Sequence, residues 1–360
     1  MNKAAMSKTV MNKTVVNEAG KDKEGISKVN LKQSSSHSSP PKGLSAKDFI
    51  RYSRQVLLPE VGEAGQCQLQ HSHVIIVGVG GLGHLAAQYL AAAGVGRLTL
   101  IDGDKVEVSN LPRQLLFSDS DLGQYKARCA QVKLQRAYVD CDIEAIECYL
   151  DEEAVDLPSI RSGLANADLV LDCTDNFTTR HLVNRLCVQS QTPLISASAA
   201  HFQGQLLQVD IVRSPSAGCY HCLFPSEMQV SQTCSTVGVL GPMVGVMASM
   251  QTLLAVNTLL GIEPSLERSF QLRSSPEPES LSQLWRLNGK TLDWQVAKRQ
   301  RDPHCPVCAT YLWSDLSANP QAPSASLAED TEGVASHITE PIAENSAKRE
   351  NHTQSERRSA

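Results

Sequence analysis

The chain has 360 residues, of which 41% are hydrophobic and 20% are charged, and its formal net charge is −5. A chain of this length can bury a large core, and a mildly acidic balance argues against a nucleic-acid-binding protein. The N-terminus lacks the apolar core of a signal peptide, and no run of about 18 apolar residues is free of polar interruption, so we expect neither secretion nor a membrane span.

Both ends of the chain differ in composition from its middle. Residues 1–46 are rich in Lys, Ser and Asn and carry a net charge of +5, whereas residues 311–360 are rich in Ser, Ala, Glu and Pro and carry −4. These compositions predict a disordered N-terminal extension and a disordered C-terminal tail around one ordered domain, residues 47–310. A polybasic docking arm is the alternative for the extension. The ordered domain begins with a short helix over residues 48–58, for which Ser45 is the predicted N-cap.

A strand, a glycine-rich turn, a helix and a second strand follow each other after a short helix near residues 62–69. The apolar run Val74–Val77 predicts a strand buried on both faces, and residues 85–93 are strong helix formers. The second strand, Leu98–Ile101, ends at Asp102, which is placed to bind ribose hydroxyls. Glycines in the turn let backbone N–H groups approach a phosphate, and they are Gly78, Gly80, Gly81 and Gly83. The sequence therefore predicts the nucleotide-binding βαβ unit.

Strands and helices continue to alternate up to about residue 197. The predicted elements are a helix from 123 to about 138, strands at 143–146, 169–173 and 193–197, and a helix from about 179 to 189. This alternation predicts an α/β fold with a doubly wound, Rossmann-like and mostly parallel sheet. The pattern then changes to an antiparallel strand over 204–212, an apolar helix over 243–260 and a hairpin at Asn288-Gly289, so we expect an antiparallel C-terminal part.

Ionisable and amide side chains cluster after the predicted strand ends or at the start of a helix. They are Asp102, Asp104, Asn110, Arg113, Lys126 and Asp175. The carboxyl ends of parallel strands form the ligand crevice of open α/β sheets. Two cations and several carboxylates around a nucleotide indicate a polyphosphate with magnesium. For Asp104 alone, a solvated loop charge is the simpler interpretation.

Two Cys-x-x-Cys pairs, Cys219 with Cys222 and Cys305 with Cys308, supply four thiolates. Tetrahedral zinc takes such a set, and four thiolates leave no open coordination position, so the sequence predicts a structural zinc site. A redox dithiol is the alternative. The adjacent His221 and His304 exceed the four ligands and are predicted to be surface residues. An odd total of eleven cysteines fits a reducing cytoplasm better than a disulfide framework.

Cys234 lies in a polar segment between a Cys-x-x-Cys pair and the long apolar helix. We expect its thiol to be exposed and able to attack an activated carboxyl group or to link to a persulfide. An idle surface cysteine is the alternative.

The motifs of the ordered domain resemble those of the ThiF/MoeB/HesA enzymes, the bacterial relatives of ubiquitin-activating enzymes. The runs that carry the resemblance are RYSRQVLLPE, VIIVGVGGLG, GVGRLTLIDGDKVEVSNLPRQ, LVLDCTDN, CYHC, GVLGPMVGVMAS and CPVC. They occur in the family's order and spacing over about residues 47–310. The run GCYHCLFP, Cys234 and the run GVLGPMVGVM look closer to the ThiF branch than to the MoeB branch.

The resemblance implies a role for individual residues. Arg54 would reach the ATP site of the neighbouring subunit in a homodimer, the glycines would shape the nucleotide loop, and Asp102 would bind the ribose. Asp175 would hold Mg²⁺, and the four thiolates would hold Zn²⁺. Asn110, Arg113, Gln114 and Lys126 would hold the triphosphate. Asp104 and Asn176 complete the predicted nucleotide site. Pro112 and Tyr125 depart from the family pattern, but neither removes a charged group.

We therefore expect an ATP-dependent adenylyltransferase that activates the C-terminal glycine carboxylate of a ubiquitin-like sulfur carrier ending in Gly-Gly. Its place would be cytoplasmic thiamine or molybdopterin biosynthesis, with a cysteine desulfurase or another donor supplying sulfur. Arg113, Lys126, Asp175 and Cys234 are the expected catalytic residues. The alternatives are an NAD-dependent oxidoreductase, for which the glycine turn and Asp102 would suffice, and an inactive zinc-organised scaffold of the same fold.

Overall fold

An eight-stranded mixed sheet runs through the part of the chain that the computed structural model describes, which is residues 43–226, 228, 238–262 and 283–309. The predicted N-terminal extension lies outside this part except for residues 43–46. The predicted C-terminal tail and Cys234 lie outside it altogether.

The strand order is β3-β2-β1-β4-β5-β6-β7-β8. The first five strands in this order are mutually parallel, and β6, β7 and β8 continue the sheet in antiparallel fashion. The predicted doubly wound, mostly parallel sheet with an antiparallel C-terminal part is thus confirmed. The bounds are β1 His73–Val77, β2 Arg97–Ile101, β3 Asp142–Ile146, β4 Leu169–Asp172, β5 Leu194–Ala200, β6 Gln203–Val209, β7 Gln283–Asn288 and β8 Asp293–Lys298.

The described helices lie between these strands in the sequence or before them. Their bounds are α1 Ala46–Arg51, α2 Ser53–Val56, α3 Gly62–His71, α4 Gly83–Ala93, α5 Lys126–Ala137, α6 Pro158–Asn166, α7 Phe177–Ser190, α8 Tyr220–Leu223 and α9 Gly241–Leu260. The predicted helix over 48–58 is interrupted at Tyr52, which separates α1 from α2. Ser45 caps α1 as predicted, because its hydroxyl accepts a hydrogen bond from Asp48 N at 3.2 Å.

Hydrophobic cores cover both faces of the sheet, and β1 contributes to both. Its side chains alternate, so Val74 and Ile76 pack into the core that contains α4 and α9, while Ile75 and Val77 pack into the core that contains α7. All five residues of β1 are buried. A strand buried on both faces needs an uninterrupted apolar run, which is why this strand is readable from the sequence.

Helix α9 is the longest described helix and ends at Gly261, which adopts a left-handed conformation with φ +69°. It is long and apolar enough to cross a membrane by length and composition, with a mean hydropathy of 1.5, although half of that window is buried inside the fold. Its residues pack against α4, β5 and β6. In the described structure it therefore serves as a core helix.

Helix α6 is a described element that the sequence analysis did not predict. Pro158 occupies its first turn, where the missing N–H is tolerated. Only Ile160 and Gly163 of this helix are buried, so it shows little apolar period. The hairpin is confirmed, with Asn288 paired to Asp293 across a four-residue loop.

Candidate nucleotide cleft and metal centre

A cleft of about 720 Å³ lies at the carboxyl ends of the parallel strands, where Val77, Ile101 and Cys173 line it. Eleven of the predicted nucleotide-site residues also line it: Gly78, Gly80, Gly81, Asp102, Asp104, Asn110, Arg113, Gln114, Lys126, Asp175 and Asn176. The structure thus brings together groups that are spread over about 100 residues of sequence. Arg54 is exposed on α2 and does not line this cleft.

The glycine loop between β1 and α4 requires glycine at two positions. Gly78 has φ +87°, and a Cβ there would lie 2.9 Å from the carbonyl oxygen of Cys173. A Cβ on Gly83 would lie only 1.9 Å from the carbonyl oxygen of Gly78. Gly83 therefore lies behind the loop and lets α4 begin against it, whereas Gly80 and Gly81 face the cleft.

Asp102 is held in place by the backbone at the end of β2. Its Oδ2 accepts a hydrogen bond from Val79 N at 2.6 Å, and its Oδ1 accepts one from Asp104 N at 2.7 Å. Burial raises the pKa of this carboxyl group. Each oxygen keeps a second lone pair, so the fixed carboxylate is suited to accept hydrogen bonds from a diol.

Lys126 supplies a buried cation at the start of α5. Its Nζ donates to Asp104 Oδ2 at 2.8 Å, and Asp104 Oδ1 accepts a hydrogen bond from Tyr149 Oη at 2.8 Å. Burial raises the pKa of Asp104, but the hydrogen bonds from Lys126 and Tyr149 outweigh it and lower the pKa overall. The same contact with Asp104 raises the pKa of Tyr149 to about 12. Asp104 is thus more than a solvated loop charge, because it orients Lys126 in the cleft.

The loop that follows β2 carries three more predicted residues. Asn110 and Gln114 are buried, whereas Arg113 is partly exposed and its Nη1 donates to Ser109 O at 2.8 Å. Gln114 Oε1 is buried and has no hydrogen-bond partner among the described residues. A buried amide oxygen of this kind indicates a position where a ligand completes the hydrogen bonding.

His84 joins the glycine loop to the Arg113 loop, a role that the sequence analysis missed. Its ring is fully buried, Nδ1 lies 2.7 Å from Gly80 O, and Nε2 accepts a hydrogen bond from Leu115 N at 3.0 Å. Because Nε2 must be unprotonated to accept, the ring is neutral with its proton on Nδ1. Burial lowers the pKa of His84, which favours this neutral form.

A buried ion pair supports the floor of the cleft. Arg180 Nη1 lies 3.5 Å from Asp172 Oδ2, and both side chains are almost completely buried. The guanidinium also donates to Ser196 Oγ at 3.0 Å, to Ala197 O at 2.8 Å and to Thr174 O. It therefore ties the end of β4 and the middle of β5 to the segment that leads to Asp175. Sequence reasoning missed Arg180 because it is one charge within a predicted helix.

Asp175 and Asn176 follow this floor at the rim of the cleft. Asp175 is exposed and free to accept a hydrated cation. Asn176 has a structural role, since its Oδ1 accepts a hydrogen bond from Thr179 N at 2.8 Å and so caps α7.

The four predicted metal ligands meet on the α7 side of the sheet. Their sulfur atoms all lie within 4.8 Å of one another. The Cys219–Cys305 and Cys222–Cys308 sulfur pairs are 3.7 Å and 3.5 Å apart. Zinc bound to four thiolates at about 2.3 Å has sulfur–sulfur edges of about 3.8 Å, so the cluster fits this ion.

His221 corrects one prediction about this centre. It was expected at the surface, but it is buried, and its Nδ1 lies 3.8 Å from Cys305 Sγ. The reason is that α8 turns the ring inward, where it packs edge-on against His181. His304 is exposed as predicted, with 96% of its side chain accessible.

Comparison with known proteins agrees with this geometry. Residues 52–307 match the model of the ThiF family. The chain is 42% identical over 263 residues to the sulfur carrier protein ThiS adenylyltransferase of Escherichia coli (strain K12), covering 73% of this chain and 96% of that protein. It is 40% identical over 272 residues to the adenylyltransferase and sulfurtransferase MOCS3 of Sus scrofa, covering 75% of this chain but 55% of that protein. It thus spans only about half the length of the MOCS3 relatives.

Among solved structures, the fold is similar to that of E. coli MccB crystallised with MccA-N7isoASN, with a TM-score of 0.59. The sequence identity is 23%, and the match covers 72% of this chain and 74% of that one. At this identity the match concerns the fold alone.

Proposed function

The chain belongs to the ThiF family, and on that premise we propose that it is an ATP-dependent sulfur carrier protein adenylyltransferase. Its substrate would be a small ubiquitin-like carrier, similar to ThiS or MoaD, with a C-terminal Gly-Gly. The observation that carries the proposal is the cleft in which Arg113 and Lys126 face the glycine loop and Asp102. The 42% identical E. coli relative is named for this activity.

The reaction needs positioning and charge neutralisation more than proton transfer. The terminal carboxylate of the carrier attacks the α-phosphorus of ATP, a carboxyl oxygen–phosphorus bond forms, and the bond to the β-phosphate oxygen breaks. The products are an acyl-adenylate and pyrophosphate. Because the nucleophile arrives ionised, the protein's contribution is to hold the two reactants together and stabilise the charge of the leaving pyrophosphate. Arg113 and Lys126 are the cations available for that charge.

Mg²⁺ would accompany the nucleotide at Asp175, an exposed carboxylate at the cleft rim. A hard cation of this kind keeps several waters and takes one or two carboxylates together with substrate phosphates. It would supply further neutralisation of the triphosphate. Asp104 differs from Asp175, because its two oxygens already accept hydrogen bonds from Lys126 and Tyr149.

Zn²⁺ would occupy the four-cysteine cluster and hold the C-terminal Cys305 and Cys308 to the middle of the domain. The sulfur spacing and burial support this assignment. Four thiolates leave no position for a reactive water, so the ion would be structural.

Exposed apolar side chains on and beside α1 and α2, the helices near Arg54, support the proposed homodimer. Four of these side chains are Phe49, Ile50, Leu57 and Leu58. Ile50 is the most exposed of them, with 80% of its surface accessible. Apolar side chains gathered beside an exposed cation are suited to a protein interface. In the proposed dimer, Arg54 would complete the partner's ATP site.

The later sulfur step is proposed for Cys234, which lies outside the described residues. Its thiolate would attack the acyl carbon of the adenylate and form a thioester as AMP leaves, or its persulfide, which carries sulfur from the donor, would make the same attack and release AMP, on the way to a thiocarboxylate. A cysteine desulfurase or another donor would supply the sulfur. The pathway would be cytoplasmic thiamine or molybdopterin biosynthesis, with no role for nucleic acid or membranes.

The alternatives receive less support. An NAD-dependent oxidoreductase would leave Arg113, Lys126 and the four thiols without a role. In an inactive scaffold, the ion pair between Lys126 and Asp104 inside the cleft would have no function. Its Nζ and Oδ2 atoms are 2.8 Å apart.

ATP–pyrophosphate exchange with a panel of purified carriers tests the proposal. We expect exchange that depends on one carrier and is lost when its last glycine is removed. Exchange with none of the carriers, together with tight binding of a pyridine nucleotide, would contradict it.

A further inference from the structure

Helix α7 reaches from the nucleotide cleft to the metal centre. Its N-terminal end carries Asn176 and Thr179, both of which line the cleft. One turn after Asn176, Arg180 holds the cleft floor through Thr174 O and Ala197 O. Another turn on, Asn184 reaches the four-cysteine cluster. Residues four positions apart lie on the same face of a helix, so Arg180 and Asn184 point to the same side.

Asn184 makes two contacts with the metal cluster and is fully buried. Its Nδ2 donates to Cys219 Sγ at 3.5 Å, and its Oδ1 accepts a hydrogen bond from Tyr220 N at 2.9 Å. The amide thus donates a hydrogen bond to the sulfur that would bind the metal and fixes the turn that follows Cys219. Groups that hold a metal ligand from behind commonly set its orientation and its affinity for the metal.

Arg299 also makes hydrogen bonds to the turn that contains Cys219. Its guanidinium is buried and donates to Ala217 O at 3.3 Å and to Gly218 O at 3.2 Å. Zinc bound to four thiolates carries a net charge of −2, so a nearby buried cation compensates it. The Cys219 knuckle is therefore fixed between Asn184 and Arg299, and only Asn184 lies on the helix that also reaches the nucleotide.

We propose that Asn184 is a positioning residue that sets the Cys219 ligand and, through the register of α7, couples the metal centre to the nucleotide cleft. This inference rests on the zinc site and the nucleotide cleft proposed above. A coupling of this kind is reciprocal, so loss of the metal must weaken nucleotide binding by the same factor by which loss of the nucleotide weakens metal binding.

Two substitutions and one control test the inference in the full-length protein. Asn184→Leu keeps the branch at Cγ but removes both hydrogen bonds, whereas Asn184→Asp keeps an acceptor for Tyr220 N and removes the donor to sulfur. The control is Asn166→Ala on α6, an exposed asparagine that donates within its own helix to Ser162 O.

Zinc release to a chelator is the first measurement. We expect about 10- to 100-fold weaker retention in both Asn184 variants and no change in the control. Binding of a non-hydrolysable ATP analogue should weaken about 10-fold in Asn184→Leu, within the usual range of coupling between sites. In the cobalt-substituted protein, loss of the N–H···S bond should move the sulfur-to-cobalt charge-transfer band to longer wavelength. Loss of stability alone would not produce that shift.

The outcomes separate the inference from the proposed function. Wild-type protein that binds no zinc would refute the zinc site itself. Wild-type protein with zinc, combined with Asn184 variants that match it in zinc release, would refute only the role of Asn184. Normal nucleotide affinity in variants that release zinc faster would refute the coupling.

If the Asn184 variants fail to fold, a measurement on the wild-type protein still tests the inference. On replacement of zinc by cadmium, the side-chain amide resonances of Asn184 should shift, whereas those of Asn166 should stay in place. Resonances of Asn184 that do not move would overturn the assignment.

Discussion

The nucleotide cleft and the metal centre are built in opposite ways. In the cleft, Arg113 and Asp175 are partly or fully exposed at the ends of strands. In the metal centre, Cys219, Cys305 and Cys308 are fully buried and belong to a hydrophobic core. The cleft can therefore lose a charged side chain and keep its fold, whereas the metal centre cannot lose its ligands without disturbing a core. Loss of a cleft cation should therefore affect activity first, and loss of a metal ligand should affect stability first.

The metal centre should give the largest effect on stability. A Cys219→Ser/Cys305→Ser variant is expected to lose its zinc and to unfold at a much lower temperature, since structural zinc contributes on the order of 10 kcal/mol in small domains. Metal analysis and thermal unfolding measure both quantities. Cys67→Ser, at a half-buried cysteine outside the cluster, is the matched control. Freshly reduced wild-type protein without zinc would contradict the account.

The cleft should give the largest effect on activity while the fold survives. Arg113→Ala or Lys126→Ala is expected to remove roughly 3–4 kcal/mol of transition-state stabilisation, as does loss of one preorganised donor to an oxyanion. ATP–pyrophosphate exchange reports the loss, and circular dichroism reports the fold. Arg128→Ala, which removes a half-exposed cation of α5 that pairs with Glu147, should leave exchange unchanged. Wild-type exchange in both cleft variants would remove these cations from the mechanism.

Cys234 differs from the four cysteines of the metal centre, because we propose a chemical role for its thiol and no metal binding. Cys234→Ser should keep pyrophosphate exchange near the wild-type rate, since adenylation needs no thiol, while sulfur transfer to the carrier collapses. The two rates are measured on the same preparation. If sulfur transfer also continues, the thiol is idle and another protein supplies this step.

His84 should give the smallest effect, visible in the pH dependence of stability. Its pKa is lower in the folded protein than the ordinary value of 6.5, so below that value the unfolded chain takes up more protons and the fold loses stability as the pH falls. The contribution is at most about 1.4 kcal/mol per pH unit. His84→Gln should therefore show a flatter decline of melting temperature below pH 6.5 than wild type.

The exposed His304→Gln serves as the control for this measurement. An unchanged decline in His84→Gln would show that the buried ring does not limit acid stability.

The sequence predicted those parts of both regions that local pattern determines. The apolar run of β1, the glycines after it and Asp102 at the end of β2 follow one another within about 30 residues, so the nucleotide unit was readable. The spacing of Cys219 with Cys222 and of Cys305 with Cys308 indicated the metal ligands in the same way. In both cases the residue types and the spacing are set by the chemistry itself.

The remaining features depend on contacts between distant segments. His84 is one residue of a helix until the fold brings Leu115 N to its ring. Asn184 likewise gains its role only when Cys219, 35 residues further along, reaches its amide. The inward orientation of His221 follows from the packing of α8 against α7. No periodic pattern in the local sequence predicts such contacts between distant segments.

The central claim is that the cleft forms a carrier acyl-adenylate without help from the Cys234 thiol. Intact-mass analysis of a purified carrier incubated with ATP, Mg²⁺ and the wild-type protein tests it most directly. We expect the carrier to become heavier by one adenylyl group. The wild-type protein and the Cys234→Ser variant should form this adduct, and the Arg113→Ala variant should not. An unmodified carrier with wild-type protein, or an adduct that forms equally well with Arg113→Ala, would contradict it.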